Sequence, residues 1–175
     1  MKITTNAIID GYFRPEFGKY ATNKRADGRV IFSPDIEIHE EPEDTVSYAL
    51  FMEDRDAIPV CGFSWIHWVA CNITATHLEA GASETAFKAF EQGGKAPFIQ
   101  GANSWISPLA GSMDRIAASV YGGMAPPDRD HQYEIYVFAL DTLLDLKQGF
   151  YANELFHAMN GHILSIGSIK GIYKA

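Results

Sequence analysis

The stretch that decides the fold is Ser47-Tyr48-Ala49-Leu50-Phe51-Met52-Glu53-Asp54, followed shortly by Trp65-Ile66-His67-Trp68. The first segment is apolar and ends in two carboxylates, which predicts a buried strand that delivers acidic side chains at its end. The second segment is rich in aromatic and β-branched residues, which strands prefer. We therefore predict two neighbouring central strands, over residues 46–54 and 63–73.

The rest of the chain also favours strands over helices. Further strands are predicted at residues 134–140 and 163–173, with shorter ones at 3–9, 30–32 and 35–38. One short helix is predicted to begin at an N-cap, Ser83, and to have its body at 86–92, and a second is predicted at 153–160. The long segment 97–130, with Gly, Ser and Pro throughout, is typical of a functional loop or of a segment with short elements of its own.

Length and charge restrict the class of protein. A chain of 175 residues predicts a single domain over residues 1–175. Its net charge of −8 argues against nucleic acid as a partner. No apolar stretch is long enough to span a membrane and no signal peptide is evident, so we predict a cytoplasmic protein. Cys61 and Cys71 flank the aromatic strand and are predicted to be free thiols.

The first candidate site lies where the central strands end. Asp54 and Asp56 point to one side if the chain stays extended, although a solvated turn remains the alternative. Strand alternation places Trp65, His67 and Val69 on one face of a strand whose two faces are both apolar. A buried histidine needs hydrogen-bond partners. It is either a satisfied core residue or a site residue oriented by one of the two aspartates.

A second candidate segment runs from Tyr121 to Tyr133. Its glycines allow close approach of the backbone to a ligand, and its prolines stiffen the rim. His131 and Tyr133 are two residues apart and share a face as the chain enters a strand. A rigid connecting loop is the alternative interpretation of this segment.

Together, these segments resemble the phosphatidylethanolamine-binding protein family, also called Raf kinase inhibitor-like proteins, and its bacterial branch in particular. The family's first block is represented by Asp54-Arg55-Asp56-Ala57, Trp65-Ile66-His67-Trp68 and Asn72-Ile73. Its second block is represented by Tyr121 to Tyr133, which keeps Tyr121, Gly123, Pro126, Pro127, His131 and Tyr133. With Ser33-Pro34 and the C-terminal segment, the resemblance covers about residues 30–173.

The resemblance implies a mainly β fold, in which a large antiparallel sheet packs with a smaller sheet beside one or two short helices. It implies a non-enzymatic protein without a cofactor or catalytic residue, which binds phosphate or a phosphoethanolamine-like headgroup. It leaves open the regulation of a kinase or protease partner, and a homodimer. The implied ligand-binding residues are Asp54, Asp56, His67, Gly123, His131 and Tyr133, with the aspartates orienting donors.

The sequence departs from the family pattern at Arg55, Met124, Arg129 and Gln132. Arg55 and Met124 are expected beside the pocket, and at Arg55, where the family has proline, the pocket would gain a cation.

Two enzyme hypotheses remain as alternatives. In the first, two histidines and a carboxylate, Asp54, His67 and His131, form a metal site of the kind that suits iron or zinc. In the second, the protein is a hydrolase, but neither GxSxG nor HExxH occurs in the sequence.

Overall fold

A computed structural model describes residues 1–175 and confirms a mainly β fold. The strands are β1 (Lys2–Thr4), β2 (Ile8–Ile9), β3 (Tyr12–Phe13), β4 (Ile36–His39), β5 (Ser47–Asp54), β6 (Trp65–Ile73), β7 (His77–Leu78), β8 (Ile99–Gly101), β9 (His131–Leu140) and β10 (Ile163–Tyr173). Three short helices are α1 (Ile58–Cys61), α2 (Ala82–Glu91) and α3 (Ala152–Ala158). No helix has the length and hydrophobicity to cross a bilayer.

The strands form one large and one small sheet, as expected. The large sheet has the order β2-β3-β10-β9-β5-β6-β8, and the small one has the order β1-β4-β7. Five of the six pairings of the large sheet are antiparallel. The sheet is nevertheless mixed, because β3 pairs with β10 in parallel through Tyr12 and Ile172. Strands β5 and β6 are neighbours and neither is an edge strand, as predicted from their sequences, although the middle strand of the sheet is β9.

The central strands are buried on both faces because both faces are apolar. One face packs into a core of 22 residues that joins the two sheets, with Leu50, Met52 and Trp68 among its members. The opposite face packs against α3 and nearby loops through a second cluster, which includes Phe51 and Leu155. Burial on both sides holds the end of β5 rigidly.

A β-bulge at His67 changes the predicted alternation along β6. Met52 pairs with Trp68, whereas the next residue of β5, Glu53, pairs with Ile66, so His67 has no partner in the ladder. The extra residue shifts the strand's facing pattern by one position. Trp68 therefore packs in the core between the sheets, and Val69 packs in the cluster on the opposite face. The prediction that Val69 shares a face with His67 is wrong for this reason.

Other sequence predictions differ from the structure in extent. Residues 30–32 form no strand, and residues 3–9 form two short strands separated by a turn. Helix α2 begins at Ala82 after Gly81, while Ser83, the predicted N-cap, lies inside the helix. Its hydroxyl instead accepts a hydrogen bond from the backbone N–H of Tyr121 (2.7 Å). Ser83 therefore makes a tertiary hydrogen bond and does not cap the helix.

Candidate functional site

A cavity of about 230 Å³ lies where β5 and β6 meet α1 and the second candidate segment. Twelve residues line it: Asp54, Ala57, Val60, Cys61, Trp65, His67, Trp105, Gly123, Ala125, Pro127, His131 and Tyr133. Five of the six predicted ligand-binding residues are among them, and Asp56 is not. The fold therefore brings the two sequence blocks together around one concave site.

Asp54 is the last residue of β5 and is almost fully buried. One carboxylate oxygen accepts a hydrogen bond from the Ala57 backbone N–H (3.1 Å) and caps the 3₁₀ turn that follows the strand. The other lies 2.7 Å from Nδ1 of His131. Asp54 therefore both ends the strand and orients a histidine, in agreement with the orienting role predicted for the aspartates.

Asp56 lies outside the cavity and connects the two blocks. Its carboxylate accepts a hydrogen bond from the backbone N–H of Gln132 (2.9 Å) and pairs with the guanidinium of Arg129 (3.2 Å). The expectation that Asp56 points to the same side as Asp54 is wrong, because the chain enters the 3₁₀ turn Arg55–Ala57 and is no longer extended. Asp56 thus holds the second block in place from outside the cavity.

His131 lies fully buried between two carboxylates. Its Nδ1 lies 2.7 Å from Asp54, and its Nε2 lies 2.8 Å from Asp128. Burial opposes a charge on the ring, but the two hydrogen bonds outweigh it and raise the pKa of His131. A neutral imidazole has only one N–H, so both contacts are satisfied at once when the ring is protonated. The hydrogen bond to His131 also lowers the pKa of Asp128.

His67 is held by a glycine backbone rather than by an aspartate. Its Nδ1 lies 2.6 Å from the carbonyl oxygen of Gly122, whose N–H donates to the carbonyl of His67 (2.7 Å). Burial lowers the pKa of His67, although Gly122 and the charge of Asp54 act in the opposite direction. In the neutral ring the contact with Gly122 assigns the proton to Nδ1, so Nε2 is a hydrogen-bond acceptor.

Tyr133 contributes a hydroxyl that has no hydrogen-bond partner although it is buried. The backbone N–H of Ala125 and the carboxylate of Asp54 lie near it, but neither contact has hydrogen-bond geometry. Burial, followed by the charge of Asp54, raises the pKa of Tyr133, so the group keeps its proton. A buried unpaired polar group costs about 1–3 kcal/mol. Among the residues that line the cavity, this hydroxyl is therefore the one buried side-chain polar atom without a hydrogen-bond partner.

Gly123 lines the cavity, but its amide is already used. Its N–H donates to the carbonyl of Val30 (2.8 Å), and a Cβ at this position would lie 2.7 Å from Cβ of Val30. Glycine is needed here because the two segments are in close contact. The amide of Gly123 is therefore not free for a ligand, contrary to expectation.

Two of the departures from the family pattern lie away from the cavity, contrary to prediction. The Arg55 guanidinium contacts Glu53 (2.7 Å) and the hydroxyl of Tyr136 (2.7 Å), and its side chain is 60% exposed. Because Glu53 and Glu134 face each other across β5 and β9, Arg55 is attracted to this pair of carboxylates. Met124 is fully buried in the core between the sheets.

Sequence reasoning missed several residues that complete the site. Asp128 lies three residues before His131, a signal that could have been used. Gly122, whose carbonyl contacts His67, directly precedes Gly123, the glycine that was predicted. Trp105 comes from the 3₁₀ helix Ser104–Ile106, and only the tertiary structure brings it to the cavity.

The metal-site alternative requires Asp54, His67 and His131 to converge on one ion. No group of three or more His, Cys, Asp and Glu side chains is arranged to hold a metal ion. Both ring nitrogens of His131 already face carboxylates. The three residues therefore share a cavity but do not form the set of ligands that this alternative needs.

Comparisons with known proteins agree with the sequence resemblance. The chain is 44% identical over 162 residues to the uncharacterized protein YxkA of Bacillus subtilis (strain 168), covering 91% of this chain and 92% of the relative. It is 29% identical over 178 residues to a UPF0098 protein of Chlamydia trachomatis, covering 99% of each.

Solved structures show the same fold. A phosphatidylethanolamine-binding protein homologue from Chlamydia trachomatis superimposes with a TM-score of 0.75 at 24% identity, over 99% of this chain and 97% of its own. Escherichia coli YbcL, described as a member of the mammalian PEBP family, gives 0.72 at 21% identity, over 99% and 98%. The family model for phosphatidylethanolamine-binding protein matches residues 4–174. This chain therefore belongs to the phosphatidylethanolamine-binding protein family.

Proposed function

We propose that this protein is a non-enzymatic binding protein whose cavity takes a small headgroup of the phosphate or phosphoethanolamine type. The observation that carries the proposal is the unpaired hydroxyl of Tyr133 in the cavity wall. A phosphate oxygen is a strong acceptor for such a donor. A ligand that accepts this hydrogen bond removes the cost of leaving the hydroxyl buried and unpaired.

The charges around the cavity favour a zwitterionic headgroup over a free phosphate dianion. No lysine or arginine lines the cavity. The charge of protonated His131 is shared between Asp54 and Asp128, and burial favours the neutral form of His67. A dianion would face the Asp54 carboxylate without a free cation beside it. An ammonium group on the ligand offsets this repulsion between anions, because it can donate to Asp54 and to Nε2 of His67.

The polar groups also support binding rather than catalysis. Asp54 and Asp128 both engage His131, and His67 is held by Gly122. A general acid or base needs to exchange a proton with the substrate, and His131 has both nitrogens turned to the protein. These side chains form a wall in which the Tyr133 hydroxyl is the donor for a ligand, and Asp54 and Nε2 of His67 are the acceptors.

Isothermal titration calorimetry with O-phosphoethanolamine and with inorganic phosphate tests the proposal. Phosphoethanolamine should bind more tightly, and Tyr133→Phe should weaken its binding by about tenfold, since one hydrogen bond of about 1.4 kcal/mol corresponds to that factor. The matched control is Tyr136→Phe, which removes a hydroxyl on the same strand that contacts Arg55 outside the cavity. Equal affinities of the wild type and Tyr133→Phe would overturn the proposal.

Three further properties stay predictions. They are the regulation of a kinase or protease partner, assembly into a homodimer and a cytoplasmic location. Family resemblance leaves the first two open, and the third rests on the pattern of apolar residues along the sequence. Sedimentation velocity of the purified protein measures the oligomeric state directly.

A further inference from the structure

One cysteine thiol opens on the candidate cavity. Cys61 ends α1, is half-buried and lines the cavity beside Val60 and Trp65. Its Sγ contacts two carbonyl oxygens, those of Ala57 and Phe63, each at 3.3 Å. These contacts place the sulfur between the turn after β5 and the start of β6.

The second cysteine is an internal control for this thiol. The protein has two cysteines, and both are free. Cys71 is fully buried in the cluster that packs against α3, and burial raises the pKa of its thiol to about 12. Thiolate is the reactive form of cysteine, so we expect Cys71 to react more slowly than Cys61 in the folded protein. Cys61 is only partly buried, and its helix neighbours Ile58 and Val60 are 48% and 47% exposed.

The same cavity shows independent signs of a ligand site. Tyr133 has no exposed surface, and its hydroxyl lacks a partner in the cavity wall. The remaining lining is largely apolar and includes Trp65, Trp105 and Pro127. A small group attached to Cys61 would enter the cavity of about 230 Å³ that the proposed headgroup would occupy.

We propose that Cys61 is a thiol-modification site that controls access to the cavity, through reaction with low-molecular-weight disulfides. The Cys61 thiolate, after losing its proton to solvent, attacks one sulfur of the disulfide RS–SR. A Cys61–S–S–R bond forms as the original S–S bond breaks, and RS⁻ leaves and takes up a proton. The cysteine sulfur is oxidised and one half of the disulfide is reduced. The attached thiol half then occupies the site, so this inference rests on the proposed function.

Cystamine is a suitable probe because each half is a small aminoethanethiol. Native protein treated with cystamine at pH 8 should gain one adduct by intact-mass spectrometry, and peptide mapping should place it on Cys61. Cys61→Ser should gain none, although it retains Cys71. Absence of an adduct on the native wild type, or an adduct on Cys71 alone, would overturn the proposal.

The consequence for the cavity has its own measurement. In ¹H–¹⁵N spectra the adduct should shift the amides of His131 and Tyr133 on the opposite wall, while cystamine-treated Cys61→Ser should show no such change. Shifts confined to α1 would contradict the proposal. This measurement needs no ligand and therefore stands even if the headgroup assignment fails.

Calorimetry then tests headgroup binding and the effect of the Cys61 adduct together. Phosphoethanolamine binding should fall at least tenfold in the adduct and stay unchanged in cystamine-treated Cys61→Ser. Undiminished binding by the adduct would refute control of access by Cys61. Lack of binding by unmodified protein would refute the proposed function instead, and the mass and NMR results would still decide whether Cys61 opens on the cavity.

Discussion

Replacing Tyr133 with phenylalanine should leave the protein as stable as the wild type or make it more stable. The buried hydroxyl has no hydrogen-bond partner, so its removal relieves a desolvation cost of up to about 1–3 kcal/mol. Tyr121 provides the comparison, because its equally buried hydroxyl donates to the Phe17 carbonyl (2.5 Å). Tyr121→Phe removes this hydrogen bond and leaves the Phe17 carbonyl with only the N–H of Met124 (3.2 Å), so it should destabilise the protein by about 1 kcal/mol.

If each variant changes the unfolding free energy by about 1 kcal/mol, in opposite directions, the two differ by about 2 kcal/mol. Urea unfolding followed by tryptophan fluorescence measures this difference. With a denaturant slope of about 2 kcal/mol/M, the midpoints should lie roughly 1 M apart. Thermal midpoints should differ by about 4–8 °C for a chain of this size.

A loss of stability in Tyr133→Phe would contradict the absence of a hydrogen-bond partner for its hydroxyl. If Tyr133→Phe loses 1 kcal/mol or more, as Tyr121→Phe is expected to, the Tyr133 hydroxyl is paired in the folded protein, with Asp54 as the nearest candidate. The cavity would then lack a free donor. Saturating phosphoethanolamine should stabilise the wild type more than Tyr133→Phe, because a tighter ligand gives a larger shift in unfolding free energy.

Two further predictions concern charge. Because the folded-state pKa of His131 is raised, its stabilising contribution is fully present below an unfolded pKa of about 6.5 and is lost as pH rises through the folded-state pKa. The destabilisation by Asp54→Asn should thus be larger at pH 6 than at pH 9 in urea unfolding, and a pH-independent loss would contradict this account. Arg55→Ala leaves Glu53 and Glu134 facing each other but should cost at most about 1 kcal/mol, since Arg55 is 60% exposed. This cost should shrink in 1 M salt, and calorimetry should show unchanged headgroup affinity, whereas a tenfold loss of affinity would assign Arg55 to the pocket after all.

Local sequence pattern predicted the central elements well. Strand β10 has the predicted bounds, residues 163–173, and β5 and β6 differ from prediction by one or two residues at their starts. These segments are continuously apolar or aromatic, so that local preference and burial favour the same structure. Segment 30–32 has a similar local pattern but forms no strand. Val30 instead accepts a hydrogen bond from Gly123.

The errors at the site have a common origin. The face of the sheet on which each side chain lies was predicted by assuming that the strands are continuous. A bulge at His67 and a turn after Asp54 interrupt them. At the bulge, His67 contacts Gly122, a partner distant in sequence, whereas the turn is capped locally by the Asp54 carboxylate, which accepts from the Ala57 N–H. Asp56 and Arg55 consequently turn towards partners outside the cavity.

The sequence by itself determined the family, the two-sheet fold and five of the six cavity residues predicted, because their types and order lie in two compact blocks. Only the tertiary structure decided which polar groups are free. His131 is occupied by Asp54 and Asp128, while the hydroxyl of Tyr133 is left unpaired. Hydrogen bonding depends on distances and angles between segments, and these arise when β5 and β9 pair and the long loop closes over them. The chemistry available to a ligand is therefore a property of the folded site.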